Sequence, residues 1–378
     1  MQNELDVLVI GGGLAGLTAA LHLQKSGVNV TVIEKNAYPS HKVCGEYISN
    51  EVLPYLKWLD LDIERLNANI LTLLQLTTVK GKSITAKLPL GGFGISRHEL
   101  DLFLYQHLIN RGVTIIKDSA VAIEFVGDSF SVALRSGKTL SATHVIGAYG
   151  KRSSIDMKLG RSFVQRKSPF LAVKGHYIGD FPKDVVAIHN FKGGYCGVSK
   201  VENDKINICY LTNYRTFRQY KNITTYQENV LYQNKNLEKI FEQCTALFEE
   251  PLVVGQLYFG EKQRIENHIL MVGDSAGLIH PLCGNGMAMA IHSAKIAAEL
   301  LVKFQRRLIV SRAELEHLYC QQWNDEFKTR LKMGHILSTL LRKEKLSNFL
   351  LSGLIKLPAL LNQIILHTHG KPITNEVD

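Results

Sequence analysis

The feature that most constrains the fold is a glycine-rich turn between an apolar strand and a helix near the N-terminus. Leu5–Ile10 (LDVLVI) is an almost continuous apolar run, as expected for a buried parallel strand, and Gly11-x-Gly13-x-x-Gly16 follows at once. Gly11 permits a tight turn, Gly13 lets the backbone approach a pyrophosphate, and Gly16 permits close packing of helix on strand. A second strand ends on Glu34, which would accept hydrogen bonds from an adenosine ribose. The pattern predicts a βαβ dinucleotide-binding unit, without choosing between FAD and NAD.

A second glycine-containing segment lies near the other end of the chain. It reads ILMVGDSAGLIHPLCGNGMAMAI. The pattern predicts a strand, a Gly273-Asp274 turn, a proline-containing loop and then a helix that begins at a glycine. Backbone N–H groups at a helix N-terminus favour negative charge. The alternative is a plain turn followed by a flexible loop, but two independent motifs at opposite ends of one chain favour a cofactor site.

With this segment the sequence resembles the FAD-dependent group that contains para-hydroxybenzoate hydroxylase-like monooxygenases, geranylgeranyl reductases and flavin-dependent halogenases. The resemblance covers most of the chain before its C-terminal tail. It implies that FAD is the cofactor, that Asp274 binds the ribityl chain, and that residues 284–287 present a helix N-terminus to the flavin pyrimidine edge. Reduced flavin carries negative charge near this edge, which those N–H groups would stabilise.

Two further segments match the same group. ISRHELDLFL resembles its Arg-x-x-Leu-Asp segment, which implies that Arg97 lies close to the flavin and its phosphates; the alternative is a solvated arginine at a helix start. KVCGEYIS resembles the cysteine-glycine segment of the geranylgeranyl reductases, which passes near the flavin, so Cys44 would face the reaction site. The expected cofactor contacts are Gly11, Gly13, Leu14, Ala15, Gly16, Glu34, Lys35, Arg97, Val121, Gly273, Asp274, Gly284, Asn285, Gly286 and Met287.

Cys44 and His280 are the two candidates for catalysis. His280 precedes Pro281 in the loop that the resemblance puts beside the flavin, and an imidazole with a pKa of about 6.5 suits proton transfer near neutrality. A histidine before a proline in a turn is more often structural, and an inert buried thiol is an equal alternative for Cys44. No metal site is predicted, because the six cysteines contain no CxxC pair.

The chain departs from the group in two places that bear on the reaction. Hydroxylases of the group carry an Asp-Gly pair after the fourth strand that touches FAD and the incoming nicotinamide, whereas VIGAYGKRSSID places Tyr149 there. NAD(P)H is therefore expected at most as a transient electron donor, and a partner reductase is the alternative source of electrons. Halogenases carry a Trp-rich motif, and this chain has only Trp58 and Trp323, which disfavours halogenation.

The predicted fold class is α/β: a Rossmann-like FAD-binding domain with an inserted antiparallel β-sheet substrate domain and a helical C-terminal tail. We assign residues 1–69, 95–165 and 258–320 to the FAD-binding domain, 70–94 and 166–257 to the substrate domain, and 321–378 to the tail. The insertions are inferred from a hairpin pattern near residue 80 and from two strand-like runs, GGYCGVSKV and KINICYLT, around a polar turn. Ligands commonly bind where two such domains meet.

Charge and the C-terminal tail bear on partners and location. The 44 Lys and Arg against 34 Asp and Glu give a formal charge of +10, which favours anionic partners, but the basic residues are scattered without a nucleic-acid recognition motif. Residues 346–366 are apolar and long enough to span a bilayer, yet Lys356 and Pro358 lie at their middle, so two packed helices are favoured. Peripheral membrane contact through the basic run RKEK at 342–345 is the alternative. The N-terminus has no signal-peptide pattern, so we expect a cytoplasmic protein.

The sequence motifs and the resemblance leave three functions open. The first is a monooxygenase that acts on an aromatic, polyketide-like or other lipophilic small molecule, and this is the function that the sequence analysis favours. The second is a reductase that saturates isoprenoid double bonds, which KVCGEYIS supports. The third is a non-catalytic flavin-binding or lipid-carrier protein, for which only the apolar tail and Tyr149 argue.

Overall fold

The computed structural model describes residues 5–220, 222–342, 353, 365 and 369–374. Helices run over α1 (Leu14–Lys25), α2 (Leu53–Trp58), α3 (Arg97–Asn110), α4 (Ser154–Lys158), α5 (Tyr214–Arg218), α6 (Ile223–Val230), α7 (Lys235–Glu242), α8 (Gly286–Gln305) and α9 (Arg312–Arg342). Strands run over β1 (Leu5–Ile10), β2 (Val30–Glu34), β3 (Tyr47–Ser49), β4 (Asn69–Thr77), β5 (Ser83–Gly94), β6 (Thr114–Lys117), β7 (Ala120–Val126), β8 (Ser129–Leu134), β9 (Thr139–Gly147), β10 (Phe170–Gly179), β11 (Val185–Phe191), β12 (Gly194–Lys200), β13 (Ile206–Asn213), β14 (Cys244–Ala246), β15 (Leu252–Gly255), β16 (Ile265–Glu266) and β17 (Ile269–Met271). The helices predicted within 346–366 fall outside the described residues, apart from positions 353 and 365.

The first sheet is the parallel one that the N-terminal motif predicts. Its main path runs β16-β17-β9-β1-β2-β6, and β7 and β8 extend it as a hairpin beside β9. β1 pairs in parallel with both β2 and β9, so that Val9 lies opposite Val32 on one side and Ile146 on the other. All residues of β2 are buried, which its apolar composition allows in an inner parallel strand. α1 packs between α3 and α8, and the predicted α/β class is confirmed.

The second sheet joins the two insertions that the sequence pattern predicts. Its order is β14-β10-β13-β12-β11-β4-β5-β3, with β15 also paired to β10. The hairpin β4–β5 meets the meander β10–β13 through a parallel pairing of β4 with β11, in which Leu74 lies opposite Val186. β3 pairs with β5, so the segment that we assigned to the FAD-binding domain as 1–69 also contributes an edge strand to this sheet. The remaining domain boundaries stay a prediction.

The two faces of the second sheet have different neighbours, because successive side chains along a strand point to opposite faces. On one face, Cys196 and Val198 of β12 join a core with Tyr226 and Leu237 from α6 and α7. On the other face, Tyr195 joins a different apolar cluster that borders a large cavity. The helices therefore cover one face of the sheet, and the opposite face is available for a ligand. No helix within the described part of the chain is both long and apolar enough to cross a bilayer.

Candidate active site

A cavity of about 980 Å³ is lined by residues of both sheets, which is at the upper end of the usual size for ligand sites. The glycine turn after β1, the 40–47 segment and the open face of the second sheet all contribute to its wall. All predicted cofactor contacts line this cavity except Gly16 and Asn285. The two glycine motifs from opposite ends of the chain therefore meet at one place.

The glycine turn has the geometry that its residue types require. Gly11 has a φ of +108°, in the left-handed region that favours glycine. A Cβ at Gly16 would overlap the carbonyl oxygen of Gly11, so this glycine serves helix packing and does not face the cavity. A Cβ at Gly13 would point to the guanidinium of Arg97, with Nη2 at 3.4 Å, and the amine of Lys42, at 3.8 Å. Gly13 thus leaves space in front of two cations.

Asp101 holds these two cations in place. Arg97 donates from Nε and Nη2 to the two carboxylate oxygens of Asp101, both at 2.7 Å, and the Nζ atom of Lys42 lies 3.4 Å from Asp101 Oδ2. The Asp101 side chain is fully buried. Ser96 caps α3 by accepting from the backbone N–H of Glu99 at 3.1 Å, so the first turn that carries Arg97 is well formed. The glycine cradle and two oriented cations fit the diphosphate of a dinucleotide.

Glu34 and Val121 line the part of the cavity that we predict for the adenosine. Glu34 Oε2 accepts from the backbone N–H of Gly12 at 2.7 Å, which ties the end of β2 to the glycine turn. The β7–β8 register shifts between Ala120 and Ala122, so Val121 lies at a β-bulge where regular pairing is broken. Val121 lines the cavity there, and Lys35 lies exposed on its rim.

The Asp274 turn and the Tyr149 loop are fastened together. The backbone N–H of Gly150 donates to Ser275 Oγ at 2.9 Å. Lys262 donates from Nζ to the carbonyl oxygens of Lys151 and Asp274, at 2.8 and 2.7 Å. Burial lowers the pKa of Lys262 to about 8. These bonds place Asp274 in the cavity wall, where its carboxylate can accept from the hydroxyls of a ribityl chain.

The loop before α8 approaches the 40–47 segment. Gly284 has a φ of +61°, and the Tyr47 ring lies 3.2 Å from where its Cβ would be. Cys44 and Met287 are in direct contact in the cavity wall, with Sγ and Sδ 3.4 Å apart. Asn285 is buried and donates from its side-chain amide to Glu51 at 3.3 Å, so its side chain does not reach the cavity. Only the backbone of Asn285 could therefore make the cofactor contact that we predicted for this residue.

The two catalytic candidates differ in position. Cys44 is half-buried and lines the cavity beside Met287, so it stays a candidate. His280 is 6% exposed, and its ring packs against Phe259 and Tyr195 with ring centres 4.8 and 5.9 Å apart. Its neighbours in the chain, residues 279 and 281, line the cavity, whereas His280 does not appear in the lining that the described residues form. This packing favours the structural alternative for His280.

Sequence reasoning missed Glu46, which is the most connected acid of the site. Its side chain is fully buried and forms an ion pair with Lys174, while His176 Nε2 lies 2.6 Å from Oε2. The backbone N–H of Arg97 donates to Oε1 at 2.8 Å. Burial raises the pKa of Glu46, but the hydrogen bond from His176 and the charge of Lys174 outweigh it and hold this pKa below its usual value. The network joins the 40–47 segment, α3 and β10.

The fold and the site define a dinucleotide-dependent oxidoreductase with a second sheet over its cofactor domain. The chain belongs to the FAD-binding domain family, because the sequence model of that family matches residues 4–307. FAD is thus its cofactor, and the chain is an FAD-dependent oxidoreductase of this family. The resemblance drawn from the sequence motifs is confirmed.

Individual relatives fall into more than one class. The chain is 26% identical over 373 residues to digeranylgeranylglycerophospholipid reductase 1 of Methanothermobacter thermautotrophicus, covering 90% of this chain and 88% of the relative. A geranylgeranyl bacteriochlorophyll reductase-like protein from Thermoplasma acidophilum superposes with a TM-score of 0.74 at 20% identity, covering 97% and 93% of the two chains. PqsL of Pseudomonas aeruginosa, solved with 2-aminobenzoylacetate, gives a TM-score of 0.74 at 16% identity, covering 91% and 98%. At these identities the two structures establish the fold alone.

Proposed function

We propose that this protein is an FAD-dependent reductase that saturates carbon–carbon double bonds in a lipophilic, isoprenoid-type molecule. The observation that carries the proposal is the apolar wall that the second sheet gives to the cavity. Leu74 and Leu76 of β4 lie opposite Val186 and Ile188 of β11, and all four residues line the cavity. The similarity of this chain, over 90% of its length, to a digeranylgeranylglycerophospholipid reductase supports the same substrate class. This choice reverses the order that the sequence analysis favoured.

The apolar wall has a gap that suits a long apolar chain. Gly197 of β12 lies between Ile188 and Cys209 in the register of the sheet. A Cβ at Gly197 would meet only the carbonyl oxygen of Cys209, at 3.6 Å. The glycine therefore opens a groove between flanking side chains. Burial of an apolar chain there would contribute roughly 0.8 kcal/mol for each methylene group.

The roles of this chain's residues follow from their positions. FAD supplies two-electron transfer when it is bound. Arg97 and Lys42 would hold its diphosphate, Glu34 its ribose, and Asp274 its ribityl chain. The apolar wall would hold the substrate and exclude water from the reacting carbons. Cys44 lies between the two, so it is the candidate to contact both cofactor and substrate.

The proposal is tested by anaerobic turnover. We expect protein reduced with dithionite to be reoxidised by geranylgeraniol without oxygen, and mass spectrometry to show the gain of two hydrogens for each saturated bond. The matched control is Gly197→Leu, which should keep its FAD and lose binding of the isoprenoid, because its side chain fills the groove. A product that gains one oxygen atom, formed only in air, would instead establish the monooxygenase. Absence of either product across isoprenoid and aromatic probes would favour the non-catalytic alternative.

The electron donor is a separate proposal that concerns Tyr149. This residue lines the cavity, and its hydroxyl donates to Met271 Sδ at 3.2 Å. Position 149 therefore presents a phenol, and not a carboxylate, to an incoming nicotinamide. We expect free NADPH to reduce the flavin slowly and a partner reductase to be the better donor. Tyr149→Asp should accelerate reduction about ten- to hundredfold, the equivalent of one hydrogen bond to a charged group.

Stopped-flow measurement of flavin bleaching checks this prediction. Tyr149→Phe is the matched control, because it removes the hydroxyl without adding a carboxylate and should leave the slow rate unchanged. Rapid bleaching of the unmodified protein by NADPH, with no gain in the aspartate variant, would show that the nicotinamide docks elsewhere.

A further inference from the structure

Three large apolar side chains are exposed on two segments beside the first sheet that Arg312 joins. Val126, Leu308 and Val310 have exposed fractions of 67%, 68% and 84%. Val126 ends β7, and the other two lie in the link between α8 and α9. Single exposed apolar residues are common, but adjacent ones mark interaction sites. We call these three residues, with Lys303 and Arg307 beside them, the loop–hairpin surface.

Arg312 holds the two parts of this surface together. Its Nε atom lies 3.0 Å from Asp128 Oδ1, and its Nη2 atom donates to the carbonyl oxygen of Asp128 at 3.1 Å. Its guanidinium carbon lies 4.7 Å from the ring centre of Phe125. Asp128 follows Val126 by two residues, and Arg312 follows Val310 by two. Arg312 thus joins the turn after β7 to the start of α9, which follows the link that carries Leu308 and Val310.

The link between α8 and α9 is ordered, so its exposed side chains are fixed in position. The backbone N–H of Leu308 donates to the carbonyl oxygen of Lys303 at 2.9 Å, and Arg307 adopts a left-handed φ of +59°. Ile309 is only 4% exposed and anchors the link in the core. The backbone N–H of Val310 donates to Glu314 at 3.0 Å. Leu308 and Val310 are therefore held outward on either side of a buried anchor.

The charges around this surface favour an anionic partner. Lys303 and Arg307 are exposed beside the apolar residues. Of the acids in these two segments, Asp128 is paired with Arg312, and Glu314 accepts from the backbone of Val310. Glu124 of β7 is exposed, so the positive charge belongs to the link that carries Leu308 and Val310. Exposed apolar side chains flanked by cations are the pattern of interfacial membrane contacts, in which the side chains enter the acyl boundary and the cations meet anionic headgroups. A protein partner with an acidic rim would need a complementary groove, whereas a bilayer accepts protruding residues directly.

We propose that the loop–hairpin surface docks this protein on an anionic lipid bilayer, with Leu308 and Val310 inserted at the interface. The docking is peripheral. The proposal does not depend on the proposed reductase activity, although a lipophilic substrate would be met at the same membrane. It also differs from the contact predicted for the run at 342–345, because it rests on residues that the structure describes.

Co-sedimentation with vesicles tests the proposal. The full-length FAD-loaded protein should bind vesicles of phosphatidylcholine with phosphatidylglycerol, and bind less to phosphatidylcholine alone or at high salt. The double variant Leu308→Glu/Val310→Glu should bind the anionic vesicles about tenfold more weakly or worse, with unchanged FAD content and circular dichroism. The matched control is Ile178→Glu/Val253→Glu, which changes residues of the second sheet that are 51% and 49% exposed.

Each outcome decides the proposal. Selective loss of vesicle binding in the Leu308/Val310 variant supports it. Equal loss in both double variants would show a general effect of added negative charge and overturn it. Unchanged binding in the Leu308/Val310 variant would place any membrane contact elsewhere, such as the tail. If that variant instead converts a dimer into a monomer in sedimentation velocity, the surface is a contact between two copies of the chain and the proposal is wrong.

Discussion

Replacing Gly13 by leucine is expected to give a folded protein that contains no FAD. A Cβ at this position would meet only the guanidinium of Arg97 and the amine of Lys42, which are the ends of flexible side chains. The fold should therefore accept the leucine. The leucine would occupy the space in front of these cations, where we propose that the diphosphate binds, and would separate two negative charges from their partners. We expect the purified variant to be colourless, with flavin absorbance near zero.

The comparison with other substitutions makes this prediction specific. Gly16→Leu should prevent folding, because even a Cβ at Gly16 overlaps the carbonyl oxygen of Gly11. Gly13→Ala adds one methyl group and should weaken FAD binding without abolishing it. Circular dichroism and thermal unfolding would verify that Gly13→Leu is folded. Full flavin occupancy in this variant would refute the placement of the diphosphate at the glycine turn.

The parts of the fold that the sequence predicts are those set by local patterns. The strand, glycine turn and helix over residues 5–25 are encoded by an apolar run and by Gly11 and Gly16, whose φ angle or close contacts admit no larger residue. The hairpin of β4 and β5 follows from alternation around a short polar turn. Arg97 is placed by a helix that begins with a serine cap. Each of these signals lies within one element or two adjacent elements of the chain.

The features that the sequence did not predict depend on contacts between distant segments. The parallel pairing of β4 with β11 joins residues more than a hundred positions apart, and no local pattern specifies it. The bulge at Val121 is a property of the β7–β8 pair rather than of either strand. His280 was expected at the reaction site because it follows the Asp274 turn, yet the direction of its side chain is decided by Phe259 and Tyr195, which come from other elements.

The partners of Glu46 could not be predicted from its local sequence. It follows a glycine in the KVCGEYIS segment and has a left-handed φ of +54°, so its environment is set by tertiary contacts. Lys174 and His176 lie two residues apart on β10 and therefore point to the same face of the sheet. A lysine and a histidine in the middle of an apolar strand are a sequence signal for a buried acid partner. The signal says nothing of which acid that partner is.

Glu46→Gln should lower the free energy of unfolding by about 3 to 5 kcal/mol, the usual cost of removing one partner from a buried ion pair. Lys174 is fully buried with Glu46, and its Nζ atom also donates to the carbonyl oxygen of Lys42 at 3.1 Å. The substitution would leave the buried ammonium group of Lys174 without the carboxylate that balances its charge. Because Glu46 also accepts from the backbone of Arg97, we expect weaker FAD binding as well. Urea unfolding and flavin titration measure the two effects.

The pH dependence and a compensating variant separate the ion pair from a simple packing defect. Contacts hold the pKa of Glu46 below the value of 4.5 that it would have when unfolded, so its contribution to stability is present above about pH 4.5 and is lost as pH falls below it. The difference between the unmodified protein and Glu46→Gln should therefore shrink in acid, where the glutamate is also neutral. Glu46→Gln/Lys174→Met removes both charges and should recover most of the stability at neutral pH, because an apolar replacement of a buried pair is often neutral. If the double variant is as unstable as Glu46→Gln, or if the deficit persists unchanged at acid pH, then the shape of Glu46 and not its charge holds the 40–47 segment against the cavity.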